Sequence, residues 1–133
     1  MEAGFSPKIF LVDDDLFSRA IHEQHFRNMG WARYHSFGTI VECVSRFNEK
    51  PDVLIIDYRT QPVRGLKILS AIRKVLPHTY IIFIAGPSGI IECLLSLQEG
   101  AFAYIVKDGS YLRQLTAIFR QIELSEKIVT RKP

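Results

Sequence analysis

Residues 8–19 read KIFLVDDDLFSR, and the architecture follows from this stretch. Four apolar residues, Ile9, Phe10, Leu11 and Val12, run into three consecutive aspartates, after which residues 16–29 read as a helix. A short unbroken apolar run closed by polar residues marks a strand buried on both faces. The pattern returns at residues 53–56 (VLII), at 81–84 (IIFI) and, more briefly, at 104–106 (YIV). Residues 31–37 form a more polar candidate carrying Arg33 and His35, which suits an edge strand.

Between these runs the apolar period changes to that of a helix. Ile40, Val41, Val44 and Phe47 share one stripe; Ile68, Leu69, Ile72, Val75 and Leu76 make a second; Tyr111, Leu112, Leu115, Ile118, Phe119 and Ile122 make a third. Residues 90–99 and the helix after the aspartates are less cleanly striped. Gly30 and Gly100 follow two of the helices, Pro77 follows a third, and Ser110 precedes the last as its cap. Five strand–helix units in alternation predict a doubly wound (βα)5 α/β domain with a five-stranded parallel sheet in the order 2-1-3-4-5. That order puts residues 31–37 at an edge.

The chain has 133 residues, 47% of them hydrophobic and 23% charged, which suits one globular domain, expected over 1–127, with 128–133 a tail or the start of a linker. Two cysteines, Cys43 and Cys93, make no C-x-x-C pattern and read as small core or boundary residues of a chain in a reducing compartment. The net charge of +3, from 17 basic and 14 acidic residues, is too mild to imply nucleic acid, and Lys127, Arg131 and Lys132 read as a solvated chain end. No apolar run is long enough for a bilayer and no signal-peptide pattern opens the chain, so the expected location is the cytoplasm.

In a parallel sheet of this kind ligands bind where the strands end. The first strand ends at Asp13, Asp14 and Asp15, the third at Asp57, the fourth at Ala85 and Gly86, and the fifth at Lys107 and Asp108. Strands 1 and 3 flank the switch point of the topology, so their acids converge. Clustered carboxylates repel unless a cation joins them. Oxygen donors without a His or Cys nearby favour Mg²⁺ over zinc. Asp13, Asp14 and Asp57 balance Mg²⁺ and Lys107, leaving a neutral site in which one aspartate oxygen can attack a phosphoryl group. Taken singly, each residue has a plainer reading: Asp14 or Asp15 as a helix cap, Asp57 as a turn residue, Lys107 as a surface lysine. Their joint arrival at three specified strand ends favours a shared site.

These residues resemble the receiver domain of two-component response regulators, over about residues 8–124. The resemblance rests on KIFLVDDDLFSR, on DVLIID at 52–57, on Gly65 eight residues after Asp57, and on GAFAYIVK at 100–107. It implies a flavodoxin-like fold and Asp57 as phosphoacceptor. It further implies that Asp13, Asp14, Asp57 and the Arg59 backbone carbonyl bind Mg²⁺. Lys107 and the backbone at Ala85 and Gly86 would touch the phosphoryl group, and Tyr104 would be the aromatic that changes rotamer. The implied donor is a sensor histidine kinase or phosphotransfer protein. The helix 4–strand 5–helix 5 face would meet an output partner or a fused output domain, with no nucleic acid or membrane bound by the domain itself.

Four positions depart from the family pattern. Ala85 stands where a switch Ser or Thr is usual, with Ser88 three residues on as a substitute hydroxyl. Gln61 followed by Pro62 replaces the usual proline. Arg64 precedes Gly65 and, with Arg59, brings two cations near Asp57; Arg59 is the candidate for a substitute phosphate contact. Asp108 follows Lys107 where many receivers have proline. His22 and His25, one turn apart, read as surface or half-buried; His35 and His78 have no evident partner; Trp31 is expected to pack at the edge strand, and residues 86–89 to form a turn beside the site. The alternative to a phosphoacceptor is a pseudo-receiver that only docks a protein. A phosphatase using an Asp-x-Asp nucleophile lacks the further acidic pair that it requires. The domain is therefore expected not to be a turnover enzyme.

Overall fold

The structure, a computed structural model, describes residues 4–58, 62–87 and 90–131. Its elements alternate: β1 (Ile9–Val12), α1 (Leu16–Asn28), β2 (Tyr34–Phe37), α2 (Ile40–Val44), β3 (Val53–Tyr58), α3 (Pro62–Val75), β4 (Tyr80–Ala85), α4 (Ile90–Gln98), β5 (Ala103–Val106) and α5 (Tyr111–Arg131). The five strands are parallel and ordered β2-β1-β3-β4-β5, as the sequence predicts.

The period of two along each strand divides the core. Phe10, Val12, Leu54, Ile56, Ile81 and Phe83 face one way and pack with Cys43, Phe47, Leu69, Ile72 and Leu76 from α2, the turn after it and α3. Ile9, Leu11, Val53, Ile55, Ile82, Ile84 and Ile105 face the other way, onto Phe26 of α1 and onto Leu115, Phe119 and Ile122 of α5. Continuing that alternation one residue past each strand's apolar run directs Asp13, Asp57 and Lys107 toward α1 and α5.

Local chemistry sets the ends of the elements. Asp15 caps α1 by accepting from the Ser18 amide at 2.7 Å. Gly30 ends the same helix at φ 79°, a conformation open to glycine, with its amide on Arg27 O and the Trp31 amide on Phe26 O at 2.9 Å. Trp31 thus leaves α1 directed onto α5, and packs there instead of in the edge strand, which begins only at Tyr34. The helix of the Ile40–Phe47 stripe is also shorter than its spacing suggests: α2 stops at Val44, and Phe47 enters the core from a 3₁₀ turn, Phe47–Glu49. The backbone of α5 remains helical to Arg131, past the expected domain limit at 127.

Candidate functional site

Asp13 follows β1 with its amide on Phe37 O at 3.0 Å, and its side chain is fully buried. Asp57 lies in β3 beside Ile84 of β4 and is buried as well. Lys107 follows β5, its amide on Ala85 O at 2.8 Å. The Lys107 ammonium reaches Asp57 Oδ2 at 2.7 Å and Ser18 Oγ at 2.6 Å. Three residues from three strand ends thus meet at one crevice, as the strand order requires.

Asp14 does not meet them in the same way. It is exposed, and it stands outside the cluster in which Asp13, His22 and Asp57 each place one ligand atom within 4.8 Å of the others. Ala85 is buried and half-buried Gly86 follows it. An added Cβ at Gly86 would meet nothing within 4 Å. Tyr104 is half-buried against the α2–α3 side of the core, the opposite face of the sheet from Asp57. Arg59, Gln61, Ser88 and Gly89 lie outside the described residues, as do the side chains of Arg64 and Cys93.

Two polar residues of α1 belong to the site and were not expected there. Ser18 Oγ donates to Asp13 Oδ2 at 2.5 Å and lies 3.4 Å from Asp57 Oδ2. His22 Nε2 lies 3.1 Å from Asp57 Oδ2 and 3.8 Å from Asp13 Oδ2. The expectation that His22 is a surface or half-buried residue is therefore wrong, and so is the expectation of a crevice without histidine: His22 is fully buried. The reason is its spacing. Ser18, His22 and Phe26 are the buried residues of α1, at i, i+4 and i+8. The helix reads as weakly striped because the first two of these face carboxylates instead of the apolar core. His25, one turn on, is half-buried and pairs with Thr116 Oγ1 at 2.8 Å.

The electrostatics separate the two acids. Burial is the largest influence on Asp13 and, helped by the Asp57 charge, leaves its carboxyl above the ordinary value despite bonds from Ser18 and the Asp15 amide. Burial also pushes on Asp57, but hydrogen bonds from His22 and Lys107 and the Lys107 charge outweigh it, holding that carboxyl below the ordinary value. Asp57 Oδ1, His22 Nδ1 and the Tyr111 hydroxyl are buried with no hydrogen-bond partner among the described residues. The Tyr111 ring closes the crevice, 5.2 Å from the Lys107 ammonium and 5.5 Å from the His22 ring. Two convergent carboxylates, one with an unused buried oxygen, fit a divalent cation with oxygen ligands. The pair also offers a nucleophilic oxygen beside a fixed ammonium.

The family model for the response regulator receiver domain matches residues 9–120. The chain is 29% identical over 115 residues to the DNA-binding transcriptional regulator NtrC of Proteus hauseri, which covers 86% of this chain and 24% of NtrC. It is 26% identical over 111 residues to the photosynthetic apparatus regulatory protein RegA of Rhodobacter capsulatus, covering 80% of this chain and 58% of RegA. The chain therefore spans about a quarter of the NtrC relative's length. Among solved structures, a response regulator receiver domain protein from Clostridium thermocellum superposes with a TM-score of 0.80 at 24% identity, over 92% of this chain and 98% of that one. At that identity the likeness speaks for the fold.

Proposed function

The chain belongs to the response regulator receiver domain family of two-component signalling, and from that membership we propose that it accepts a phosphoryl group on Asp57 and switches a protein-binding face. The observation that carries this reading is the pairing of a buried, ionised Asp57 with the Lys107 ammonium at 2.7 Å while Asp57 Oδ1 has no partner among the described residues. Oδ1 is then the nucleophile, and Lys107 is placed to neutralise an incoming phosphoryl oxygen. Ala85 and Gly86 supply backbone groups beside it.

Asp13, Asp14, Asp57 and the Arg59 carbonyl would hold Mg²⁺. When bound, the ion supplies countercharge to the phosphoryl oxygens. Burial, aided by the Asp57 charge, raises Asp13, and a cation at this place would offset both. A domain with no demand for a cation gains nothing from burying Asp13 beside Asp57, which weighs against a pure docking module.

The donor is proposed to be a phosphohistidine on a sensor kinase or phosphotransfer protein, within the cytoplasm. No described helix is long and apolar enough to cross a membrane. Residues 1–127 form the receiver unit, with the end of α5 leading to whatever follows. The output face is that of α4, β5 and α5, where Ile91, Leu94, Leu95, Leu97 and Phe102 are exposed. Tyr104 is its moving aromatic. The domain acts on itself once per phosphoryl group and turns over no other phosphate ester.

The test is incubation with acetyl phosphate and Mg²⁺, read by intact mass, with Asp57→Asn as control. One added phosphoryl group, absent from the variant and from Mg²⁺-free samples, is the expected result. No addition under any divalent cation, together with no Mg²⁺ binding by titration, makes the domain a docking module.

A further inference from the structure

His22 stands in the crevice without a task in the acid–lysine chemistry. Its ring neighbours those of Phe26 and Tyr111, with centroids 6.3 and 5.5 Å away. Its Nε2 faces Asp57 Oδ2 at 3.1 Å, whereas Nδ1 has no partner among the described residues. An ionised carboxylate has no proton to give, so Nε2–H is the donor. The two oxygens of Asp57 are consequently unequal. Oδ2 takes the Lys107 ammonium at 2.7 Å and the imidazole N–H at 3.1 Å, with the Ser18 hydroxyl 3.4 Å away; Oδ1 takes no bond from the described residues.

We propose that His22 is a hydrogen-bond donor to the leaving carboxylate when phosphorylated Asp57 hydrolyses, and that it shortens the life of the phosphoryl group. The inference rests on Asp57 being the phosphoacceptor. Oδ1, with its unused lone pairs, bonds phosphorus, and Oδ2 becomes the carbonyl oxygen of the acyl phosphate. In hydrolysis the oxygen of water bonds to phosphorus. The phosphorus–Oδ1 bond breaks, and its electron pair stays on the carboxylate, shared between Oδ1 and Oδ2. The products are the Asp57 carboxylate and dihydrogen phosphate, which carries both protons of the water. Charge returning to Oδ2 meets an N–H already in place, so the donor stabilises the transition state more than the acyl phosphate. In the forward direction the same bond stabilises the carboxylate and makes Oδ1 a poorer nucleophile. One hydrogen bond thus slows phosphorylation and speeds dephosphorylation.

The competing use of Nε2 is as a metal ligand, since it also lies 3.8 Å from Asp13 Oδ2. The other ring nitrogen argues against it: an imidazole bound to a metal through Nε2 carries its proton on Nδ1 and gives it to an acceptor, and His22 Nδ1 is buried with no partner among the described residues.

The experiment compares wild type with His22→Leu, His22→Met and His22→Gln, charged with acetyl phosphate and Mg²⁺ and then freed of donor. Two apolar variants are made so that the comparison survives if one does not fold. Glutamine keeps an N–H near the position of Nε2. The expected result is phosphate release roughly tenfold slower in the apolar variants, with faster phosphorylation, and rates within about threefold of wild type for His22→Gln. The infrared carbonyl band of the acyl phosphate moves to higher wavenumber in the apolar variants, because Oδ2 has lost a donor. Unchanged release rates overturn the proposal. So does slowing in both directions, which marks a damaged site, or loss of Mg²⁺ affinity beyond tenfold, which makes His22 a ligand. A wild type that takes no phosphoryl group on Asp57 removes the phosphoacceptor reading itself, and this proposal with it.

Discussion

Trp31 lies flat on Phe119, with ring centroids 4.2 Å apart and planes 17° from parallel. The contact joins the exit of α1 to the middle of α5, the two helices that cover the Asp57 face of the sheet. Trp31→Ala is expected to cost about 3–5 kcal/mol, the usual loss for a large buried aromatic. For a domain of this size that is a large share of total stability. Urea unfolding followed by circular dichroism measures it; a loss under about 1 kcal/mol would mean the stack adds nothing beyond surface packing.

Asp13 and Asp57 should respond to pH with opposite sign. Burial lifts the folded-state value of Asp13 above the ordinary 3.8, so its ionisation opposes folding. That cost is absent at low pH and sets in as pH rises from 3.8 through the higher folded value. Asp57 titrates below 3.8 in the fold, so its favourable contribution is complete above that pH and is lost as pH falls through the lower folded value. In divalent-free buffer Asp13→Asn is therefore expected to raise Tm by about 2–6 °C near neutrality, the gain fading below about pH 4. Asp57→Asn is expected to lower Tm near neutrality. Thermal unfolding across pH decides; shifts that ignore pH would contradict both assignments.

Ala85 ends β4 beside Tyr58 and Val106, buried and without a hydroxyl. Ala85→Ser places a donor where the strand meets the phosphoryl site. A hydrogen bond to a charged group is worth about 1.5–3 kcal/mol, so the phosphorylated fraction at a fixed concentration of acetyl phosphate should rise by roughly tenfold or more before saturation. Intact mass reads the fraction. No change would mean that the serine hydroxyl does not reach the phosphoryl group.

Cys43 is buried in the α2 side of the core, and burial pushes its thiol up to about 12. The thiolate is the reactive form. In a Cys93→Ser background, alkylation by iodoacetamide near pH 8 should be at least about a hundredfold slower in the folded protein than in urea. Comparable rates would show that the core around Cys43 opens readily.

The sequence by itself determined the order of elements, the parallel sheet and the meeting of Asp13, Asp57 and Lys107. These follow from local periods: apolar runs make buried strands, helical stripes separate them, and every parallel strand delivers its last residue to the same edge. The same periods were silent about α1. Ser18 and His22 sit on its buried stripe, but a polar residue on a stripe tells of a site only when the opposite surface is known. His22 meets Asp57 from 35 residues away, and Lys107 meets it from 50. Such contacts are set by how helix and sheet pack, which no local pattern encodes. Tertiary structure alone decided that Trp31 stacks on α5, that Asp13 is buried while Asp14 is exposed, and that the Lys107 and His22 donors converge on one oxygen of Asp57 while the other has none among the described residues. The physical reason is that burial removes water as an alternative partner, so the crevice leaves each polar atom only the neighbours that packing brings to it.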